Sequence, residues 1–190
     1  MMKRVVFLSI AFLALACKDY TPKPKGYNRI DFKDSSYKIY HDEHFSFNYS
    51  DLAYIDFVST NNNAADNKNW FNIIYPDYNL RIYCTFLPIN KISLKKMLDD
   101  SYYMAHAHVL MADGINQTLY SNPEKKVSGI VYDIEGSVAT PIQFFLTDSI
   151  SNFFRASFYY DVPVKYDSVA PVTNFIRNDI MELIESFEWK

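Results

Sequence analysis

Alternating apolar and polar side chains predict several β-strands in this chain. Phe45, Phe47 and Tyr49 alternate with Ser46 and Asn48, which is the period-2 pattern of a sheet with one covered face. With turn residues as boundaries, the sequence predicts strands at Tyr37–Tyr40, Phe45–Tyr49, Ala53–Val58, Trp70–Tyr75, Leu80–Leu87, Lys126–Glu135, Ala139–Thr147 and Phe153–Asp161. The polar stretch Ser59–Asn69 lacks apolar periodicity, and we expect a loop there.

Helical spacing of apolar residues predicts two long helices. The first covers Ser93–Met111, with Ser93 as its N-cap and Gly114 beyond its end. The second covers Ser168–Phe187, with Pro171 in its first turn. One face of the second helix is apolar, and Asp179 is expected on its outward side or edge. That apolar stripe consists of Val172, Phe175, Ile176, Ile180, Leu183, Ile184 and Phe187.

The order of these elements predicts an α+β domain. Consecutive hairpin-like connections imply an antiparallel sheet, and the two helices are expected to cover it. The order resembles the PsbP/Mog1-like sandwiches, and the final phrase IESFEW is common at the end of that fold. We assign residues 35–190 to this single domain. A shared fold carries no information about activity.

The N-terminus has the pattern of an export signal. Lys3 and Arg4 precede the apolar run Val5–Ala16, which is too short to span a bilayer as a mature helix. The step Ala16-Cys17 resembles a lipobox, the signal read by bacterial lipoprotein processing. An ordinary secretory signal with an incidental cysteine, or an uncleaved anchor, would give a similar pattern.

A lipobox would make Cys17 the first mature residue. Its thiol would carry a diacylglycerol and its amine an acyl chain such as palmitate, and several chains together give a durable anchor. Residues 1–16 would then be a signal peptide, and residues 17–34 a tether. Pro22 and Pro24 favour an extended spacer, whose lysines either stay solvated or rest on anionic headgroups.

Composition limits the possible functions. The 190-residue chain has a formal net charge of −3, so it offers no basic field for nucleic acid. Aromatic residues make up 17% of the chain, with 16 tyrosines against 4 glycines, as suits half-buried strand faces. If Cys17 carries lipid, Cys84 has no partner for a disulfide and is expected to be a small buried side chain.

The histidines form no convincing metal site. His41, Asp42, Glu43 and His44 fall in a tight turn, where successive side chains diverge and no further ligand is placed by the sequence. A structural zinc site needs four ligands at defined spacing. A solvated turn is the simpler interpretation, and we expect no metal and no other cofactor.

Two further residue pairs are candidates for metal binding or acid–base catalysis. His106 and His108 lie two residues apart on a predicted helix, roughly 200° around its axis, so they cannot chelate one ion. Asp133 and Glu135 share one strand face, but acid–base catalysis would require burial that the sequence does not reveal. With no phosphate loop, nucleophile elbow or Cys-x-x-Cys motif, we expect no enzymatic activity.

Two short motifs match an Asp-Ser/Thr-apolar pattern. They are Asp148-Ser149-Ile150 and Asp167-Ser168-Val169, and they resemble the acceptor motif for O-glycosylation of exported proteins in some gliding bacteria. Ser149 lies in a predicted loop and is the better candidate. Ser168 is expected to cap the last helix.

From Cys17 to the C-terminus the chain resembles the GldD-type gliding motility lipoproteins, most specifically from Tyr20 to Tyr54. The shared features are the lipoprotein signal, Pro22–Tyr27, the Arg-aliphatic-Asp step Arg29–Asp31, Tyr37, and the strand Phe45–Tyr49. The resemblance implies a lipid-anchored component of the gliding machinery, linked to type IX secretion.

The resemblance also indicates location and partners. It implies contacts with other gliding or envelope proteins, and we expect the domain to face the periplasm rather than the cell exterior. The alternative is a small-ligand or lipid-binding periplasmic module. An apolar pocket with convergent polar groups would favour that alternative, whereas a broad exposed aromatic patch would favour partner binding.

Overall fold

The computed structural model describes residues 30–58, 69–163 and 166–190. Within these ranges the chain forms ten strands and two helices. In chain order they are β1 (Tyr37–His41), β2 (Phe45–Ser50), β3 (Tyr54–Phe57), β4 (Trp70–Tyr75), β5 (Leu80–Pro88), α1 (Lys91–His106), β6 (Ala112–Asn122), β7 (Val127–Gly136), β8 (Ile142–Thr147), β9 (Asn152–Tyr160), α2 (Tyr166–Ser186) and β10 (Glu188–Trp189). The predicted signal peptide, Cys17 and nearly all of the predicted loop Ser59–Asn69 lie outside the described residues.

Two antiparallel sheets form the scaffold. The larger has seven strands in the order β3-β4-β5-β9-β8-β7-β6, and the smaller has the order β1-β2-β10. The smaller sheet and α2 pack on one face of the larger sheet, which we call the inner face. Helix α1 packs on part of the opposite, outer face, against β8 and β9. The predicted α+β architecture is confirmed, and the PsbP/Mog1-like resemblance stays a prediction.

The main core is rich in phenylalanine and lies on the inner face. Phe45 and Phe47 of β2 are each 1% exposed, as their alternation with polar residues predicts. The ring of Phe187, just after α2, is fully buried and lies 5.5 Å from the ring of Phe45 and 5.2 Å from that of Phe154. Because β10 follows at once and pairs with β2, the end of α2 is held in this cluster.

The first helix is shorter than predicted and starts earlier. Its N-cap is Asn90, whose side chain accepts hydrogen bonds from the backbone N–H groups of Ile92 and Ser93. Ser93 completes a capping box because its hydroxyl accepts from the Asn90 N–H at 2.8 Å. The helix ends at His106, so the predicted extension to Met111 is wrong.

A strand that the sequence analysis missed follows this helix. Along β6, Ile115 pairs with Ile134 and Leu119 pairs with Ile130 of β7. Gly114, expected just beyond the helix end, belongs to β6, where the register shifts between Ala112 and Gly114. Polar residues dominate this segment, and its apolar positions are too few to give a clear period-2 signal.

The second helix confirms the predicted apolar stripe but differs at its polar positions. It begins at Tyr166, so Ser168 lies within its first turn rather than at the N-cap, and Pro171 lies beyond that turn. Asp179 is only 4% exposed, which contradicts the predicted position on the outward side or edge of the helix. Phe175 is only partly buried, unlike the other members of the stripe.

The last residues of the predicted tether lie against the domain. The ring of Phe32 stacks on that of Phe175 at 4.6 Å, and Ile30 packs at the edge of the core. The Lys33 ammonium lies 2.5 Å from an Asp77 carboxylate oxygen. The chain is therefore held to the domain before β1 begins.

Candidate interaction surface

Four aromatic side chains lie on the outer face of the large sheet beside α1. We call the surface formed by Tyr54, Trp70, Tyr83 and Tyr159 the open face. Their positions follow from strand pairing, because directly opposed residues project from the same side of a sheet. Along one row, Tyr54 opposes Ile74, Ile74 opposes Arg81, and Arg81 opposes Tyr159. Tyr54, Trp70 and Tyr83 are 52%, 41% and 44% exposed.

The centre of the open face is held in place by contacts of Tyr83 and Tyr159 with each other and with the neighbouring Arg81. The Arg81 guanidinium donates two hydrogen bonds to the Asp161 carboxylate, at 2.6 Å and 2.8 Å. Its carbon lies 5.8 Å from the centre of the Tyr83 ring. The Tyr83 and Tyr159 rings meet edge to face with centroids 5.4 Å apart, a favoured aromatic geometry. A partner would therefore meet a largely preformed surface.

The end of α1 marks the border of the open face. Arg155 of β9 lies at this border, and its guanidinium contacts the Met104 sulfur of α1 at 2.9 Å. Burial lowers the pKa of Arg155 from its usual value, and Asp100 opposes this effect. In the part of the chain that the structure describes, α1 packs mainly against β8 and β9 rather than against β3, β4 or β5.

This composition suits contact with another protein. Tyr, Trp and Arg are the residue types that most often dominate binding energy at protein interfaces. Contiguous exposed apolar or aromatic patches on soluble domains mark interaction sites more often than isolated exposed residues do. Sequence analysis did not identify the four residues, although the period-2 pattern of β4 and β5 places Trp70 and Tyr83 on the same side.

A buried carboxylate lies on the inner face. Asp179 of α2 accepts hydrogen bonds from the Tyr37 hydroxyl at 3.0 Å and the Tyr75 hydroxyl at 3.1 Å. The Ser50 hydroxyl also donates to it. Since Tyr37 belongs to β1 and Tyr75 to β4, this cluster joins both sheets to α2.

Burial shifts the titration of this cluster. It raises the pKa of Asp179 above its usual 3.8, while the hydrogen bonds from Tyr37, Tyr75 and Ser50 oppose the shift and the nearby Asp51 adds to it. Burial and the Asp179 charge raise the pKa of Tyr37 to about 12. The tyrosine hydroxyls therefore remain donors at neutral pH.

Replacing Asp179 with asparagine should change how stability depends on pH. The folded chain holds the Asp179 proton more tightly than the unfolded chain, so this residue's contribution is greatest below pH 3.8 and is lost as the pH rises through the folded pKa. Each unit of pKa difference corresponds to about 1.4 kcal/mol. Urea unfolding across the acid range should show the wild type losing stability relative to Asp179→Asn as the pH rises.

Tyr37→Phe provides the matched control for this effect. It removes one hydrogen bond to the carboxylate, so it should raise the folded pKa of Asp179 further and increase the loss of stability. Parallel pH profiles for the wild type and Asp179→Asn would show that Asp179 does not titrate differently in the two states.

The turn at His41–His44 shows no arrangement for binding a metal. The Asp42 carboxylate accepts a hydrogen bond from the backbone N–H of His44 at 3.2 Å. The His44 ring stacks on Phe86 with centroids 4.7 Å apart. Within the described residues, no three His, Cys, Asp or Glu side chains are grouped to hold a metal ion.

The second pair of histidines is divided between two elements. His106 ends α1, and its ring stacks on Tyr102 at 3.9 Å, so it is half-buried rather than fully solvated. His108 follows in the turn, which contradicts its predicted helical position.

Cys84 is 2% exposed, and burial raises the pKa of its thiol well above the usual value, so the predicted small buried side chain is confirmed.

Asp133 and Glu135 have separate partners. Asp133 forms an ion pair with Arg177 of α2. Glu135 accepts a hydrogen bond from the Asn116 amide at 2.9 Å. Both carboxylates are therefore tied to structural contacts, and neither is directed at the other as an acid–base pair.

The glycosylation candidate Ser149 lies in the exposed loop between β8 and β9. Its backbone has φ 64°, and its N–H donates to the Thr147 hydroxyl at 2.9 Å. The Asp148 carboxylate accepts from the N–H groups of residues 150, 151 and 152, which lowers the pKa of Asp148 against the effect of burial. The Ser149 side chain is accessible, and its modification stays a prediction.

The apolar cavities formed by the described residues are small for a ligand site, which typically occupies about 300–1,000 Å³. A polar depression of about 580 Å³ is lined by residues of both charges, including Lys125, Lys126 and Glu188. An apolar cleft of about 190 Å³ lies between α1 and the sheet beside Leu98 and Leu119, and one of about 100 Å³ lies beside Tyr120 and Met181. The open face therefore supports partner binding more strongly than these cavities support the predicted ligand-binding alternative.

The comparison with known families covers nearly the whole sequence. The family model for the gliding motility lipoprotein GldD matches residues 17–189. The chain belongs to the GldD lipoprotein family. A search of the curated proteins found no match. The GldD match begins at Cys17, the residue that the sequence analysis selects for lipid attachment.

Membership of the GldD family implies a role in gliding motility and a membrane-anchored place in the cell envelope. No helix in the described ranges is both long and apolar enough to cross a membrane. The proposed lipid site at Cys17 lies outside those ranges and stays a prediction.

Proposed function

We propose that this GldD-family protein is a non-enzymatic component of an envelope complex in the gliding machinery, and that it acts by protein–protein contact through its open face. The lipid on Cys17 holds the domain at the membrane, with the domain facing the periplasm. The resemblance to GldD proteins also associates it with type IX secretion.

The exposed aromatic surface carries this proposal. Tyr54, Trp70 and Tyr83 project from adjacent strands, while Arg81 and Tyr159 restrain the centre of the surface. A preformed surface saves part of the ordering cost of association. Because the open face combines tyrosine and tryptophan with the neighbouring Arg81, a few of these side chains can supply most of the binding energy.

Removal of two aromatic anchors should abolish colony spreading. Two anchors of about 2 kcal/mol each would weaken binding by roughly a thousandfold when truncated together. Trp70→Ala/Tyr83→Ala is therefore expected to leave the deletion strain unable to spread. Spreading is measured on agar, with protein abundance and processing followed by immunoblot.

Two controls separate the open face from other effects. Tyr103→Ala removes an aromatic ring that is 70% exposed on α1, and His41→Ala removes an exposed polar side chain; both should retain spreading. Spreading by the well-expressed double variant would refute the role of the open face. Loss of spreading from His41→Ala alone, at normal abundance, would favour an enzyme or metal site instead.

A further inference from the structure

The strand β6 forms a long edge of the large sheet. It pairs with β7 on one side, and the sheet order ends with it on the other. Thr118 and Leu119 in its middle are exposed, and the Leu119 side chain is 76% exposed. Its backbone pairing with β7 is regular from Gly114 to Asn122. Since no described strand pairs with its other side, this edge can accept another strand.

This edge has few of the features that normally prevent strand pairing. Natural edges are often short or carry lysine, proline or inward-pointing charge. The eleven residues of β6 include neither lysine nor proline, and Asp113 is their one charged residue. The irregular register lies at the start of the strand, between Ala112 and Gly114, and leaves the rest of the edge regular.

Symmetry restricts how two copies of β6 can pair. In an antiparallel pair, directly opposed residues project from the same face of the sheet. A two-fold axis perpendicular to the sheet must therefore lie midway between the two copies of a single residue, so that this residue is directly opposite its own copy. An axis through Gln117 sets Ile115 of each copy opposite Leu119 of the other. Shifting the axis by one residue, to Asn116 or Thr118, loses this apolar pair.

The pairing through Gln117 also agrees with packing and charge. Ile115 already packs against the cluster beneath α1, so the exposed Leu119 of a second copy would extend that cluster. The same register sets Asn116 opposite Thr118 and leaves the two copies of Asp113, the one charged residue of the strand, at opposite ends of the contact, so it brings no two charges together. Such a contact uses the same surface on both molecules, as two-fold dimers do.

We infer that β6 is a homodimerisation edge, where a second copy of this chain adds antiparallel to β6 around Gln117 and joins the two large sheets. This inference goes beyond the proposed function, because it concerns a different surface from the open face. The two surfaces lie at separate parts of the sheet, so a dimer leaves both open faces free.

Cysteine crosslinking of the full-length protein in native membranes tests the inference. In Gln117→Cys, the two introduced thiols face each other across the dimer axis, so oxidation or a short bismaleimide should produce a covalent dimer. Ser121→Cys is the matched control on the same strand. Its two thiols would be eight residues apart along the strands, or roughly 27 Å, and should not crosslink.

A second substitution tests the contact itself. Leu119→Lys, introduced with Gln117→Cys, sets a charge on the edge, and it should remove the dimer band without unfolding the protein because Leu119 is mostly exposed. The unmodified chain, with only Cys17 and Cys84, gives the background.

Several outcomes would overturn the inference. They are the absence of a Gln117→Cys dimer, equal crosslinking of Ser121→Cys, and a crosslinked product whose mass includes a different protein. The last outcome would show that another protein's strand occupies the edge. Colony spreading is not used as a readout here, so failure of this test leaves the proposed role of the open face unaffected.

Discussion

Replacing Phe187 with alanine is expected to lower the free energy of unfolding by about 3–5 kcal/mol. The ring is fully buried and contacts the rings of Phe45, Phe47 and Phe154, so its loss leaves a cavity where both sheets and α2 meet. Urea unfolding of the mature chain carrying Cys17→Ser, with and without Phe187→Ala, measures the difference.

Phe175→Ala is the control within the same apolar stripe. Phe175 is partly buried and contacts Phe32 and Tyr78 at the edge of the core, so its truncation should cost less, roughly 1–2 kcal/mol. A loss below about 1 kcal/mol for Phe187→Ala would contradict its place in the core.

Replacing Cys17 with serine is expected to abolish lipid attachment. Serine lacks the thiol that receives the diacylglycerol, so the chain should remain as an unprocessed precursor or leave the membrane fraction. Without its acyl chains, the protein loses the durable anchor that several lipid chains together provide. Labelled palmitate incorporation and membrane fractionation measure the two effects.

Cys84→Ala tests whether lipid attachment is specific to the first cysteine. Cys84 is buried in β5, so this variant should incorporate palmitate and stay in the membrane fraction. Normal palmitate labelling and membrane retention of Cys17→Ser would refute Cys17 as the lipid site.

The sequence predicts the strongly patterned elements well because their signals are local. Phe45, Phe47 and their polar neighbours specify both a strand and its buried face, and the apolar stripe of α2 specifies the surface that packs on the sheet. The strand β6 escapes prediction because its apolar residues are few. Its pairing partner β7 determines its structure more than its own composition does.

The candidate site depends on distant contacts and is harder to predict. Helical spacing places Asp179 within the apolar stripe, three residues after Ile176 and four before Leu183. Its charge alone suggests an outward position, because the tyrosine donors that satisfy it lie 142 and 104 residues away in the chain. The open face exists because α1 covers only part of the sheet, and helical periodicity does not reveal where a helix will dock. The sequence therefore predicts the aromatic content of the surface but not its location.

The contact between Phe32 and Phe175 has a mechanical consequence. Because Ile30 packs against the domain, only about thirteen residues separate it from Cys17. Fully extended, this part of the tether could span no more than about 45 Å. A force between the membrane and the open face would load this contact and Lys33–Asp77 before it reached β1. Detachment of residues 30–33 from the domain would lengthen the tether while leaving the sheet intact. The tether would therefore extend under force before the domain unfolds.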